Sequence, residues 1–266
     1  MGVILRTLAL PAILAVCASG HDLYLLPDSF QVQPGAVVPF GIHNGDSFPE
    51  SEVSLSLEHL VDAVLLTSEG VYDTANLHVA GKRIVGTVRI AGPGDLILAV
   101  HTSPNFIQME AAKFAGYLKE EGLQDVITWR AQHGEAKKPG RERYSKYAKA
   151  LMLAGTSNGA YDQAMDYAIE IIPKKDPYNL KAGEQLPVQV RFHGKPAPGL
   201  SLEAAWAGPQ GKGTQRVGIT DSEGRIEVPL KTAGKWRLHT IKMERCSEPA
   251  AADWESFWAS LTFEVR

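Results

Sequence analysis

Cysteine is almost absent from this sequence of 266 residues, which contains only Cys17 and Cys246. Cys17 lies in an N-terminal segment that we interpret below as a cleaved export signal. The mature chain would then keep one thiol, so an internal disulfide is excluded. Its fold must be stabilised by a hydrophobic core, and its length is sufficient for two domains or one large one.

Long apolar runs are also missing after residue 20. No stretch there approaches the ~20 residues that span a bilayer, so we predict no transmembrane segment in the mature chain. Basic stretches interleaved with aromatic residues are absent, and the formal net charge is −3. We therefore expect no binding to nucleic acid. A hydrophobic fraction of 44% is ordinary for a globular protein and argues against disorder.

Catalytic motifs are a third absence. The sequence has no nucleophile elbow, phosphate-binding loop or dinucleotide fingerprint. Its eight histidines form no H-x-H or H-E-x-x-H pair, so the spacing typical of a zinc enzyme is missing as well. On these grounds we do not predict an enzyme.

The sequence does contain a secretory signal over residues 1–20. A short positive region precedes the apolar stretch Leu8–Val16, and a small-x-small cleavage pattern ends at Gly20. Cleavage after Gly20 predicts a periplasmic or secreted protein whose first residue is His21. Lipidation of Cys17 is the alternative route of export, and it would leave His21 inside the chain.

A histidine at the N-terminus of the mature chain offers two metal ligands in one residue. Its amine has an unperturbed pKa of about 7.7–8.0 and its imidazole one of about 6.5, so a borderline divalent ion can displace both protons near neutral pH. A second imidazole would have to come from a distant strand, and His101 and His239 are the candidates in that order. We therefore predict His21, His101 and His239 as metal ligands. Asp22 and Asp28 could add oxygen ligands, although acidic residues beside a turn are usually solvated.

Three segments of the chain differ in their patterning. Short strands separated by Gly and Pro turns predict one β-sandwich module over residues 21–107 and another over residues 169–266, of immunoglobulin-like or prealbumin-like type. Between them, residues 108–168 carry apolar side chains at helical spacing and predict an insertion of two or three helices. The last of these helices is predicted over Arg141–Leu151. The expected fold class is thus mainly β, with two sandwich modules and a helical insertion.

The densest aromatic patch of the chain is Asp253–Trp258, which contains Trp254 and Trp258. We favour packing in the interior, because large aromatic side chains dominate buried contacts. The alternative is a surface that binds a sugar or a protein partner.

Six segments of the mature chain together resemble one known family. They are His21–Pro27, Lys113–Leu123, Gly140–Ala150, Pro177–Leu180, Thr220–Gly224 and Ala252–Phe263. They are similar to the domain-of-unknown-function family 4198, a group of secreted bacterial proteins associated with periplasmic components of nickel and cobalt uptake. The resemblance implies an extracytoplasmic, metal-related, non-catalytic protein of mainly β structure. Members often carry His-Met where this sequence has Lys242 and Met243, so His239 would have to supply the missing imidazole.

Three functions of different classes remain open. We predict first an exported accessory protein that binds nickel, cobalt or a similar divalent ion through His21, with a membrane metal transporter as a possible partner. The second is a non-catalytic cell-surface or periplasmic module that binds a protein or a carbohydrate. The third is a copper-dependent oxidase of the histidine-brace type, which would need a second histidine close to His21 and a flat aromatic face beside it.

Overall fold

The computed structural model describes residues 20–266, so the predicted signal and Cys17 lie outside the described residues. Eighteen strands and two helices follow one another along this part of the chain. They are β1 (Leu23–Pro27), β2 (Gln31–Val32), β3 (Val37–Asn44), β4 (Leu60–Thr67), β5 (Gly70–Asp73), β6 (Ala75–Ala80), β7 (Arg83–Arg89), β8 (Gly94–Thr102), β9 (Asn105–Met109), α1 (Ala111–Glu120), α2 (Gln124–Gln132), β10 (Gly140–Ala154), β11 (Ile169–Pro173), β12 (Gln185–Phe192), β13 (Lys195–Pro196), β14 (Ser201–Gly208), β15 (Gly211–Ile219), β16 (Arg225–Pro229), β17 (Gly234–Arg245) and β18 (Trp254–Val265).

The strands form three sheets that share one hydrophobic core. A ten-stranded sheet has the order β15-β14-β17-β18-β10-β8-β4-β5, with β2 and β9 also paired to β10. A four-stranded sheet has the order β1-β3-β7-β6, and a third consists of β11, β12, β13 and β16. Phe40 of β3, Leu98 of β8 and Val190 of β12 belong to the same buried cluster, so the sheets pack on one another. The predicted mainly β fold with sandwich packing is confirmed.

The ten-stranded sheet contains strands from both sides of the helical segment. Strands β4 and β8 precede the helices, whereas β14, β15, β17 and β18 follow them. Strand β10 joins the two groups, because it pairs with β8 on one side and with β18 on the other. The domain boundaries at residues 107 and 168 stay predictions.

The third predicted helix, over Arg141–Leu151, is wrong: these residues belong to β10, a strand of fifteen residues. Strand β10 pairs in parallel with β18 from Glu142 to Ala150, and antiparallel with β9 over its first five residues. Such pairing satisfies the backbone groups of β10 through partners that are distant in the sequence, and it overrides the local helical spacing of the apolar residues.

Two helices, α1 and α2, confirm the rest of the helical prediction. They are joined by the short segment at Gly122 and cover one end of the ten-stranded sheet. Their apolar side chains pack on Trp254 and Trp258 of β18 and on Ile241 of β17. Among residues 20–266, neither helix has the length and apolar character needed to cross a membrane.

Candidate metal site

The pairing of β1 with β3 places His21 beside an acidic loop. Leu23 lies opposite Asn44, and just beyond the strands the amide of Gly45 donates to the carbonyl of Asp22 over 3.0 Å. Continuing this antiparallel register by one more residue brings His21 opposite Asp46. The position of His21 therefore follows from the register in which the two strands pair.

His21, Asp46 and Glu52 form a group of three metal-binding side chains. Nδ1 of His21 lies 3.0 Å from Oδ2 of Asp46 and 3.5 Å from Oε2 of Glu52. One ligand atom from each residue lies within 4.8 Å of the others, a spacing that one ion can satisfy. The group has an open side, because about half of the Asp46 side chain is exposed.

The loop after β3 folds back on itself to bring Glu52 to this group. The amide of Glu52 donates to the carbonyl of Asn44 over 2.9 Å, and the amide of Asp46 donates to Oε2 of Glu52 over 3.3 Å. A hydrogen bond from the Ser47 side chain lowers the pKa of Glu52, which keeps this carboxylate ionised and able to bind a cation.

Buried side chains of the ten-stranded sheet contact the main chain at Gly20 and His21. Nζ of Lys146, on β10, donates to the carbonyl of His21 and, over 3.2 Å, to Oδ1 of Asn44. The indole ring of Trp258, on β18, lies against Gly20: a Cβ built on that glycine would approach the ring to 2.6 Å. The site thus lies on the two central strands of the large sheet.

His239 lies beside this group but outside it. It is buried on β17, and its Nδ1 lies 3.0 Å from Oδ1 of Asp22. The other oxygen of Asp22 accepts from the buried guanidinium of Arg237 over 2.8 Å. Burial alone would raise the pKa of Asp22, but the charges of His239 and Arg237 outweigh it and hold the pKa at about 2. Asp22 is therefore a buried partner of two cations and not a solvated acid.

His101, the other predicted ligand, lies in a different place. It is in β8, as expected, and its Nδ1 lies 2.7 Å from Oδ2 of Asp62 on the neighbouring strand β4. Its ring stacks on Tyr147, and the hydroxyl of Tyr167 donates to the same aspartate over 2.8 Å. The group at His21 includes neither His101 nor His239.

A cavity of about 100 Å³ is lined by Asp46 and by Gly20 and Asp22, the residues on either side of His21. Its lining residues are mostly ionisable and come from the C-terminal end of α1, from β14 and β17, from the loop after β3 and from the N-terminal segment. They are Gly20, Asp22, Asp46, Glu120, Glu121, Glu203, Arg237 and His239. Burial raises the pKa of Glu121, and the charges of Asp22 and Glu203 act in the same direction, whereas His239 offsets part of the effect. Carboxylates outnumber cations here, so the cavity attracts positive charge.

Trp254 and Trp258 are packing residues, as favoured from the sequence. They are 2% and 4% exposed, and they pack against α1 and α2 in a buried aromatic cluster. Neither forms a flat aromatic surface open to solvent.

Sequence reasoning identified His21 but missed Asp46 and Glu52. Both lie in a loop between β3 and β4, where single acidic residues give no recognisable spacing. Their approach to His21 depends on the register of β1 on β3, in which Leu23 lies opposite Asn44, and the uniformly apolar β1 does not reveal that register.

Comparisons with known proteins give a family and no activity. A family model described as "Domain of unknown function (DUF4198)" matches residues 18–244. A search of curated proteins finds no match.

Among solved structures, a DUF4785 family protein from Legionella pneumophila is 13% identical to this chain, with a TM-score of 0.26. The match covers 80% of this chain and 50% of that protein, so this chain spans about half the length of the Legionella protein. The D0-D1 domain of intimin is 13% identical, with a TM-score of 0.22 and coverage of 91% and 97%. The Escherichia coli adhesin FdeC is 12% identical, with a TM-score of 0.26 and coverage of 91% and 63%. At this level of similarity, the three structures give no information about the function of this chain.

Proposed function

The chain belongs to the DUF4198 family, and because that description assigns no activity, we propose a function from the chain's own site. The protein is an exported, non-catalytic metal-handling protein. It binds a divalent ion such as nickel or cobalt through His21, Asp46 and Glu52.

The orientation of the His21 ring is the observation that carries this proposal. Nδ1 is the ring nitrogen that faces Asp46 and Glu52. It is also the imidazole nitrogen that can bind a metal ion together with the α-amine of the same residue. The resulting six-membered chelate ring contains the ion, the amine nitrogen, Cα, Cβ, Cγ and Nδ1. If cleavage after Gly20 frees the amine, one ion can be held by two nitrogens of His21 and two carboxylate oxygens.

This donor set favours some ions over others. Imidazole and amine nitrogens suit nickel, cobalt, zinc and copper, whereas all-oxygen sites suit magnesium and calcium. The carboxylates are hard ligands, so the site does not favour copper(I). A histidine-brace oxidase would need a second imidazole on the same ion. The group at His21 contains a single imidazole, that of His21 itself. These points support a binding role over a copper-dependent oxidase.

The exposed side of the group supports a role in metal transfer. Half of the Asp46 side chain is open to solvent, and about a third of Glu52 is as well. An ion held there stays accessible to a second protein, for which a membrane metal transporter is our proposed partner. A structural metal would instead be enclosed by its ligands.

Calorimetric titration with Ni²⁺ and Co²⁺ of protein beginning at His21 tests the proposal. We expect one ion at the His21 group, and a loss of affinity of at least about 100-fold in His21→Ala, since changes to outer partners alone cost 10–100-fold. Asp46→Asn and Glu52→Gln should each weaken binding. Glu50→Gln is the matched control, because Glu50 lies in the same loop but pairs with Lys212.

A second preparation that keeps Gly20 tests the amine directly. Its His21 nitrogen is an amide and cannot chelate, so we expect weaker binding with the imidazole still in place. Affinity unchanged by His21→Ala would exclude the proposed site. A protein that binds neither ion would favour the interaction-module hypothesis.

A further inference from the structure

We propose that the cavity beside His21 holds a second divalent cation, bound by Nε2 of His239 and the carboxylate of Glu121. Asp22 positions the His239 ring for this role. The inference deepens the proposed function and rests on it, because it assigns a second ion to the same metal-handling pocket. It is carried by different residues, and it can fail separately.

The first observation is a buried ring nitrogen without a hydrogen bond. His239 is 6% exposed, and its Nε2 is shielded from solvent and has no hydrogen-bond partner. The nearest acidic atom, Oε2 of Glu121, lies 3.5 Å away on the wall of the cavity. A buried polar atom without a hydrogen bond is costly, so an arrangement of this kind needs an explanation. A divalent cation that displaces the proton of Nε2 from its ion pair with Glu121 would bind both groups.

The second observation is the partner of the other ring nitrogen. Nδ1 of His239 lies 3.0 Å from Oδ1 of Asp22. Histidines that bind metals almost always donate their second ring N–H to a carboxylate, a carbonyl or water, which fixes the tautomer and the ring orientation. Asp22 is itself held by Arg237 over 2.8 Å, so it cannot turn away. The ring is therefore fixed with Nε2 directed at Glu121.

The third observation is the charge of the cavity. Five carboxylates line it, from Asp22, Asp46, Glu120, Glu121 and Glu203, against Arg237 and His239 as the basic groups. Arg237 is already paired with Asp22 and, over 3.2 Å, with Glu203. Glu121 has no such guanidinium partner among the described ion pairs, and its nearest basic group is His239. A divalent ion would neutralise the remaining negative charge.

The cavity has room for an ion with part of its hydration shell. Its volume of about 100 Å³ exceeds the ~10–15 Å³ that one water molecule requires. Gly20 forms part of its wall, so cleavage after that residue would widen it further. Asp46 contributes to both the cavity and the His21 group, which makes the two ion positions neighbours.

His101 shows that a histidine–aspartate pair alone does not predict a site. Its Nδ1 is paired with Asp62 in the same way, over 2.7 Å. Two tyrosine rings pack against it, and it lines none of the described acidic cavities. His101→Asn is therefore the matched control for His239→Asn. In both variants the amide can donate to the aspartate as Nδ1 does, while Nε2 is lost.

Native mass spectrometry of the protein beginning at His21, with Ni²⁺ or Co²⁺ as the only added ligand, tests the inference. We expect two ions per chain in the wild type and in His101→Asn, and one in His239→Asn. Glu121→Gln should also retain one ion, or bind the second at least about 10-fold more weakly. Circular dichroism of each variant checks that it is folded. If His239→Asn does not fold, Glu121→Gln tests the second site in its place.

The outcomes separate the two proposals. If the wild type binds one ion that His21→Ala removes and His239→Asn keeps, the second site is wrong and the proposed function stands. If His239→Asn removes an ion that His21→Ala keeps, the second site stands and the first is wrong. Loss of an ion in His101→Asn, or no bound ion in any variant, would overturn the second site.

Discussion

The buried ammonium group of Lys146 donates a hydrogen bond to the main-chain carbonyl of His21. Lys146 lies in the middle of β10, and the same group donates to Asn44 at the end of β3 over 3.2 Å. One side chain of the large sheet thus ties together the N-terminal segment and the strand that precedes the acidic loop. The proposed metal site is consequently coupled to the stability of the sheet.

Lys146→Met should lower the free energy of unfolding by about 1–3 kcal/mol. The methionine keeps most of the apolar stem but leaves the carbonyl of His21 and the amide oxygen of Asn44 without their donor. Burial lowers the pKa of Lys146 to about 8, so part of the loss is offset by no longer burying a charge. Urea unfolding at pH 7 measures the effect.

Lys242→Met is the control for this change. Lys242 is also on a sheet strand, but its ion pair with Asp125 spans 3.4 Å and its side chain is partly exposed. Pairs of that kind contribute up to about 1 kcal/mol. Equal losses in the two variants would show that the contact between Lys146 and His21 has no special role.

The segment that contains Lys146 was wrongly predicted as a helix, and it is strand β10. The apolar residues of β10 fit a helical period, and the Pro139-Gly140 and Gly155 that bound the segment are equally compatible with a helix. Its structure is set by β18, more than a hundred residues later, and no local pattern encodes that pairing. By contrast, strands bounded by turns, and the helix with apolar residues at i, i+3 and i+4, could be predicted from the sequence.

The candidate site could be predicted only in part, because a local pattern identifies one of its residues and tertiary packing supplies the others. His21 was identifiable because its position follows from the cleavage pattern and its chemistry from a single residue. Asp46, Glu52 and Glu121 come from loops and a helix end whose approach to His21 depends on tertiary packing. His239 was a candidate by residue type alone. Only the structure shows that its Nδ1 is already paired with Asp22 and that its Nε2 lies 3.5 Å from Glu121.

Trp254→Ala and Trp258→Ala should each destabilise the protein by about 3–5 kcal/mol, the usual cost of truncating a buried aromatic residue. Both rings are buried in the cluster under α1 and α2. They differ in their distance from the site: Trp258 lies 5.5 Å from the His239 ring and 5.4 Å from Nζ of Lys146, whereas Trp254 packs on Trp129. We therefore expect Trp258→Ala, and not Trp254→Ala, to weaken Ni²⁺ binding as well.

Urea unfolding and calorimetric titration of the two tryptophan variants measure these effects together. Trp254→Ala serves as the control for a general loss of stability. A stable Trp258→Ala variant, or one that binds Ni²⁺ as tightly as Trp254→Ala, would contradict the packing of this ring beneath the site.

Glu142→Gln should remove a pH dependence of stability between about pH 4.5 and 7. Glu142 is 1% exposed; Oε1 accepts hydrogen bonds from Tyr117 and Ser256, and Oε2 has no partner. Burial raises its pKa from 4.5 to about 7. In this pH window the folded state therefore holds a proton that the unfolded state has lost. The free energy of unfolding therefore falls as the pH rises through this window. The stabilisation from protonated Glu142 is fully present below about pH 4.5 and is lost above about pH 7.

Glutamine resembles the protonated acid in shape and still accepts from Tyr117 and Ser256. We expect wild type and Glu142→Gln to be similarly stable near pH 4.5. At pH 8 the variant should be more stable by on the order of 3 kcal/mol, since one pKa unit corresponds to 1.36 kcal/mol. Urea unfolding of both proteins at several pH values gives the difference, and Glu227→Gln, which removes an exposed carboxylate, corrects for the change in net charge. A constant difference across the window would mean that Glu142 does not bind a proton on folding.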